Sequence, residues 1–474
     1  MASNVRDTRL AAVQSAGRFS DAVIDELARY LTESPDEKLF RMNPFRYAAE
    51  TGTEESTAVE LFLYAAHAGV LEFSWGVICP ICGAFVRTEH ALRALDQERG
   101  CAFCDITISP VMDVNVEVAF SVAPSVRTLR FHEPDRFDFA QDSLTLFFSP
   151  TVINTAHIER ALRQTMWSGT VAGGATLEVE NELAVGEYVV TLPEHHVATR
   201  FTVADGEGES TLNWEVLTGG RLIQSGARIA AGPVRLAIRN RLTRPVIFGA
   251  FVDPRSPDML AQNFPPGAVP PGQDLHRFFS AKDLVTTQVF HELFRAESVP
   301  AQGGLSFRSL TVLFTDLKGS TELYSRMGDI RAYGLVREHF GVLREIVAAH
   351  SGAVVKTIGD AVMATFPVPE LALEAAAAMN REIGKVGDLE LKIGMHTGPC
   401  IAVDMNERLD YFGQTVNIAA RVQGIADSRQ IVCTDSVYEA PGVAEVIAKL
   451  AAAGPRECAA LKGVDGEVGV WRFQ

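Results

Sequence analysis

What the sequence lacks narrows its function first. Nowhere in the 474 residues do 18 consecutive apolar side chains occur, and the first twenty residues hold no apolar core of signal-peptide length. Neither a spanning helix nor a secretory leader is expected, and the expected location is cytoplasmic, with no membrane partner. Positive charge is also in short supply: 43 Lys and Arg stand against 59 Asp and Glu, a net charge of −16. Phosphate contacts need clustered cations, so a nucleic-acid partner is not expected. Cysteine is scarce, seven residues in all, too few and too unevenly placed for a disulfide framework.

What is present is ordinary globular material, 47% hydrophobic and 22% charged, in a chain long enough for two to four domains. From Phe19 to Trp75 the apolar pattern is helical, with Val23, Ile24, Leu27, Ala28 and Leu31 on one face and Val59, Leu61, Phe62, Ala65 and Ala66 on another. Residues 1–20 lack that periodicity and read as a loose arm. The order helix, Gly69, strand suggests a winged-helix-like module over 1–75. Without a basic recognition helix, packing or protein contact is favoured over DNA binding.

Four cysteines form two C-x-x-C pairs, Cys79/Cys82 and Cys101/Cys104, with 18 residues between the inner members. That spacing suits a four-thiolate zinc site, each pair supplying one edge of a tetrahedron, and so a zinc ribbon over 76–110 with one structural Zn²⁺. Cys400, Cys433 and Cys458 are scattered and read as core residues. Residues 111–253 carry strand-like runs such as VNVEVAFSV, SLTLFFSP, YVVTLP and PVIFGAFVD between short turns, the pattern of a β-sandwich-like sensor or interaction domain with a ligand or protein partner that the sequence does not name. One helical insert is expected over 154–167. Glu194, His195 and His196 alternate sides of an extended segment and read as a solvated turn rather than a metal site.

A proline-rich linker follows at 254–273. After it, 274–304 reads as one amphipathic transducer helix, with Ser280 and Asp283 as a capping pair and Leu284, Val285, Val289, Leu293 and Phe294 along its oily side. That side could form a dimer contact or pack on the next domain.

The stretch that carries chemistry is Leu310 to Phe366. Two apolar runs, LTVLFTDLKGST and VVKTIGDAVMATF, each break into a turn at an aspartate, Asp316 and Asp360. Two carboxylates presented from neighbouring strand ends beside glycine backbone can hold Mg²⁺ or Mn²⁺ against a triphosphate. Strands and helices alternate around this hairpin, as in an α/β sheet layered with helices.

FTDLKGST, KTIGDAVMATF, KIGMHTGP, RLDYFGQTVNIAARV and LKGVDGEVGVWRF together resemble, in order and with family-like spacing, the catalytic domain of class III adenylate/guanylate cyclases. The resemblance covers 308–474 and implies a multidomain α+β chain whose residues 305–474 form a ferredoxin-like catalytic domain. It implies that Asp316 and Asp360 hold two Mg²⁺ or Mn²⁺, and that the backbone of Leu317 to Gly319 lies against the phosphates. Lys356 and Asp410 would read the purine, Asn417 and Arg421 would orient the ribose and stabilise charge on the α-phosphate, and Lys462 would meet the terminal phosphates. Lys opposite adenine N1 and Asp opposite its N6 amino group favour ATP over GTP. The family shares its site across a head-to-tail dimer, which implies a homodimer with two complete sites. CIAVDMNERLD, residues 400–410, lacks the glycines many relatives carry, which leaves a role for Arg408 open. A DNA-binding regulator with a cyclase-like sensor domain and a guanylate cyclase are the competing readings.

Overall fold

A computed structural model of the chain describes residues 2–95, 98–132, 138–152, 159, 162–218, 221–225, 228–253, 256, 277–294, 304–319, 325, 327–386, 389–405, 408–450 and 454–473. Its architecture is mixed α+β. Helices α1 (Ala2–Ser15), α2 (Asp21–Glu33), α3 (Asp36–Leu39), α4 (Pro44–Thr51) and α5 (Glu55–His67) lead into strands β1 (Leu71–Ile78) and β2 (Phe85–Glu89). Ile24, Leu27 and Leu31 bury one face of α2. The α4 start is fixed by Asn43, whose side chain accepts from the Phe45 N–H, with Pro44 in the first turn, and its end by left-handed Gly52. The N-terminus is helical where a loose arm was expected, because Leu10 and Val13 bury one turn apart and Arg9 reaches across to the Gly69 carbonyl.

Short strands β3 (Arg99–Gly100) and β4 (Thr107–Ile108) pair around the second cysteine knuckle. Strand β5 (Val116–Val122) was expected to open the β-rich domain. Instead it pairs antiparallel with β1 in the sheet β2-β1-β5, so it belongs to the N-terminal module. SLTLFFSP, expected as a strand, lies largely in helix α6 (Phe139–Phe147), which Asp138 caps by accepting from the Gln141 N–H. Buried Asp142 is pinned by Arg130 at 2.7 Å, a tertiary contact that overrides local β propensity. Half of the expected insert at 154–167, residues 154–158, 160 and 161, lies outside the described residues.

Strands β6 (Trp167–Val171), β7 (Thr176–Leu183), β8 (Gly186–Leu192), β9 (Val197–Ala204), β10 (Thr211–Val216), β11 (Leu222–Ser225), β12 (Ile229–Ala230), β13 (Gly232–Asn240) and β14 (Val246–Val252) form two sheets, β11-β10-β13-β7 and β12-β9-β8-β14-β6. Both close on one apolar core that includes Trp167, Phe201, Trp214 and Phe248.

The linker at 254–273 lies outside the described residues except Ser256. In place of one long helix, the described residues of 274–304 form two short ones, α7 (Ala281–Val285) and α8 (Gln288–Leu293). The Ser280/Asp283 capping box starts α7. Thr286 and Thr287 then donate back to the carbonyls of Lys282 and Asp283, at 2.9 and 2.8 Å, and break the helix. Ala281, Leu284, Val285, Val289 and Phe290 are buried in the chain's own core rather than presented to a partner.

The C-terminal part comprises β15 (Leu305–Leu317), α9 (Asp329–Ala349), β16 (Ala353–Ile358), β17 (Ala361–Phe366), α10 (Pro369–Ile383), β18 (Leu391–Asp404), β19 (Leu409–Phe412), α11 (Gln414–Gly424), β20 (Gln430–Thr434), α12 (Asp435–Tyr438), α13 (Val443–Lys449), β21 (Glu457–Ala460) and β22 (Glu467–Phe473). The sheet order is β16-β17-β15-β18-β20-β22-β21, with β19 paired to β18. Alternation along β15 serves two cores. Leu313 and Leu317 pack with residues of α9, α10, α12 and α13, while Leu310, Val312 and Phe314 join a core continuous with the N-terminal module. Polar contacts on several elements fasten that joint. Asp113 accepts from the Arg308 and Ser309 N–H groups at 2.8 and 2.9 Å, Gln288 accepts from the Val354 N–H at 2.9 Å, and Glu292 pairs with Arg344 at 2.5 Å.

Glu117 on β5 sits near this joint, its backbone bridged to Ser280. It is 1% exposed, accepts from the Ser149 hydroxyl at 2.5 Å and leaves its other oxygen unpartnered. Burial pushes its carboxyl up from 4.5 to about 7, against the pull of Arg41. A carboxyl held above its unfolded value favours the proton in the folded state, so stability falls as pH rises from about 4.5 through 7, by about 3 kcal/mol in full. Glu117→Gln should therefore match the wild type in urea midpoint at pH 5 and exceed it at pH 8. An equal gap at both pH values would refute this.

Candidate active site

Asp316 lies one residue before the end of β15, and Asp360 in the turn joining β16 to β17, after Gly359 in the left-handed region at φ +64°. Because β17 and β15 are antiparallel, with Thr315 opposite Val362, both aspartates fall at the same end of adjacent strands. Burial and then repulsion from Asp360 hold the Asp316 carboxyl above its ordinary range, partly offset by Lys392 and by hydrogen bonds from Gln423 and the Leu317 N–H. One Asp360 oxygen is buried without a partner. Two close carboxylates, one with an orphaned buried oxygen, form a donor set that a divalent cation would complete, so the residues fit the metal ions that class III cyclases use.

The neighbours of these aspartates were not singled out from the sequence. Lys392 stands directly opposite Asp316 across the β15–β18 ladder, and Gln423 comes from α11. That helix rests on β18 because position 394 is glycine: a Cβ there would lie 2.0 Å from the Gln423 nitrogen. His339 on α9 is fully buried with neither ring nitrogen bonded to a side chain, and burial lowers it to about 4, against the pull of Asp360. The register of Lys392 and the spacing of Gln423, two residues past Arg421, were the only available signals.

Lys356 and Asp410 meet, Nζ to Oδ2 at 2.6 Å. Asp410 also accepts from the Tyr411 N–H. Asn417 and Arg421 are exposed and four residues apart on α11, whose opposite face buries Thr415, Ala419 and Val422. Leu317 buries its side chain, while Gly319 is exposed at φ +71° in the turn after Asp316. Lys462 is not brought to this group: it is exposed in the turn between β21 and β22, at the sheet edge opposite β16. Arg408 is exposed at the tip of the β18–β19 hairpin, which closes with a 2.8 Å bond from the Met405 N–H to the Arg408 carbonyl.

The four paired cysteines converge apart from these residues. Their sulfurs lie within 4.8 Å of one another, and Cys82 and Cys101 are 3.7 Å apart. Tetrahedral Zn–S bonds of about 2.3 Å require sulfurs about 3.8 Å apart, so the cluster could hold a metal ion. The knuckles are built alike. Gly83 donates to the Cys79 carbonyl and Asp105 to the Cys101 carbonyl, both at 2.9 Å, and both take left-handed backbone, at φ +73° and +58°. Among the described residues no other group of three or more His, Cys, Asp or Glu is placed to hold a metal, and Glu194, His195 and His196 form no such group. No described helix is long and apolar enough to cross a membrane.

Residues 305–463 match the family model of the adenylate and guanylate cyclase catalytic domain, and residues 6–291, more than half of the chain, match a family of unknown function (DUF5939). The chain belongs to that family and carries a class III nucleotide cyclase domain. It is 28% identical over 257 residues, 54% of its length, to the pH-sensitive adenylate cyclase MT1302 of Mycobacterium tuberculosis. It is 28% identical over 165 residues, 31% of its length, to guanylate cyclase 32E of Drosophila melanogaster. The chain spans 62% of the first relative and 14% of the second, less than two thirds of each. The crystal structure of the adenylyl cyclase CyaB from P. aeruginosa is similar at 22% identity and a TM-score of 0.31, over 36% of this chain and 96% of that one. The strand register places both aspartates at one end of the cyclase sheet, and the N-terminal region packs into the same core.

Proposed function

We propose that the protein is an adenylate cyclase that converts ATP to 3′,5′-cyclic AMP and pyrophosphate at sites shared by two copies of the chain, under control of residues 1–304. The observation that carries the choice of base is the Lys356–Asp410 pair, a donor and an acceptor held side by side at 2.6 Å. Adenine offers an acceptor at N1 and a donor at its N6 amino group, in the order that Lys356 and Asp410 would complement. Guanine reverses that order, with a donor at N1 and an acceptor at O6. The relatives bear both adenylate and guanylate cyclase names, so the pair rather than the names supports ATP.

Asp316 and Asp360 would hold two Mg²⁺ or Mn²⁺, which when bound supply Lewis-acid polarisation of the ribose 3′-hydroxyl and neutralise triphosphate charge. Exposed Arg421 would donate to the α-phosphate oxygens as charge builds there, and Asn417, one turn earlier, would orient the ribose. Lys462, at the far edge of the sheet, would meet phosphates only as part of the same shared site. The cysteine cluster would hold a structural Zn²⁺.

The test is purified full-length chain with ATP or GTP and Mn²⁺, alongside the double variant Lys356→Glu, Asp410→Lys, which keeps an ion pair while reversing donor and acceptor. Two charge-assisted hydrogen bonds at about 1.5–3 kcal/mol each predict that the ATP-to-GTP preference falls about 100-fold or more. A wild type that makes only cyclic GMP, or no cyclic nucleotide, would refute the proposal.

A further inference from the structure

Outside the cyclase domain, a cleft of about 560 Å³ opens between the α2–α4 helices, the segment at Arg277 and the turn at Pro150–Val152. Its volume falls within the range of small-molecule sites. Four cations line it, Lys38, Arg41, Arg46 and Arg277, against one carboxylate, Glu37. Glu37 is itself engaged by Arg130 at 2.7 Å. The lining itself is thus rich in cations in a chain of net charge −16, with their carboxylate partners Glu50 and Glu55 set outside it.

The cations sit against rings. The Arg277 guanidinium lies 3.8 Å above the Phe45 ring centre, and Arg41 lies between Phe85, at 4.1 Å and outside the lining, and Phe40, at 5.1 Å. Tyr30 and Tyr47, which also line the cleft, meet edge to face at 5.0 Å. Arg41 is held by the Leu146 carbonyl at 2.6 Å and the Thr88 hydroxyl at 3.4 Å, and makes no ion pair among the described residues. Its backbone is left-handed at φ +53°, an uncommon conformation for a side-chain-bearing residue. The exposed cations have partners that a ligand could displace. Glu50 serves both Lys38 at 2.9 Å and Arg46 at 3.0 Å, and Glu55 meets Arg277 at 2.9 Å. Exposed pairs of this kind contribute about 0–1 kcal/mol.

Aromatic walls with guanidinium and ammonium groups held by exposed, displaceable pairs complement a flat apolar body bearing an anionic group. We propose that this cleft binds a small organic anion with a planar aromatic ring system. The bound anion would sit between Arg46 on α4 and Arg277, three residues ahead of Ser280, which caps α7. The proposal does not rest on the cyclase reading, because binding is measured directly.

The experiment is a calorimetric titration of the full chain with 1-naphthalenesulfonate, with inorganic sulfate and neutral 1-naphthalenemethanol as separate arms. Saturable binding at one site per chain is expected, at least tenfold tighter than either control. Arg46→Met and Arg277→Met should each weaken it tenfold or more. Both side chains are largely exposed, so the variants should fold, and an unchanged thermal midpoint would verify this. Absence of saturable binding, a control that binds as tightly as the aromatic anion, or full affinity in both variants would overturn the proposal.

Discussion

Asp316→Asn is expected to lower ATP turnover about 10³-fold or more while leaving the thermal midpoint of the metal-free protein unchanged or higher. Both halves follow from the position of Asp316, at the end of β15 and facing Asp360. Removing one of two carboxylates would take away polarisation and charge neutralisation worth several kcal/mol in the transition state, and each 1.36 kcal/mol is tenfold in rate. For stability the sign is opposite. Burial and repulsion from Asp360 hold the Asp316 carboxyl above its ordinary value, so the ionised side chain weakens the fold once pH exceeds its folded pKa. A neutral amide relieves that cost. Adding Mn²⁺ separates the two roles: it should raise the midpoint of the wild type, because it binds only the folded protein, and not that of the variant. Turnover within tenfold of the wild type, or a collapsed midpoint without metal, would remove Asp316 from the proposed role.

The parts of the site that could be read from sequence are those encoded locally. Asp316 and Asp360 each follow an apolar run and precede a turn, and Asn417 and Arg421 share a helix face by spacing alone. Lys356 and Asp410 are separated by 54 positions, and only a family resemblance suggested pairing them. Lys392 and Gln423 were missed because their roles depend on strand register and on how closely α11 approaches β18 at Gly394. The same division runs through the fold. The helical module and the cyclase strands show their periodicity in sequence. Phe139 to Phe147 does not, since its Thr-Leu-Phe run favours a strand until the Asp138 cap and the Asp142–Arg130 contact are formed. The break between α7 and α8 depends on threonine hydroxyls turning back onto carbonyls, which apolar periodicity cannot register. Net charge hid the cation-lined cleft, because a sum of −16 says nothing about where the minority sign gathers.

Replacing Cys101 with Ser should lower the thermal midpoint of the full chain by about 10 °C or more, and the purified wild type should contain about one zinc per chain. Structural zinc bound by four thiolates contributes folding free energy of about 10 kcal/mol, strongly dependent on pH. Losing only a third of that would cost about 3 kcal/mol, which for a module of this size is on the order of 10 °C. The loss should not stay local. Cys79 and Cys101 are buried in the same continuous core as Trp75, Leu284, Phe290, Leu305 and Tyr411, and residues 111–113, which follow the second knuckle, hold the edge of β15 through Val111, Met112 and Asp113. Loosening the knuckles should therefore expose the N-terminal end of the strand whose other end carries Asp316. Hydrogen exchange at Ser306 to Leu310 should accelerate in Cys101→Ser, and so should exchange on β9, where Arg200 donates to the Ala102 and Phe103 carbonyls of the second knuckle, while exchange around Trp214 on β10, in the other sheet, should change least. A wild type without metal, or a Cys101→Ser chain with normal midpoint and exchange, would show that the four sulfurs are packed cysteines and not a metal centre.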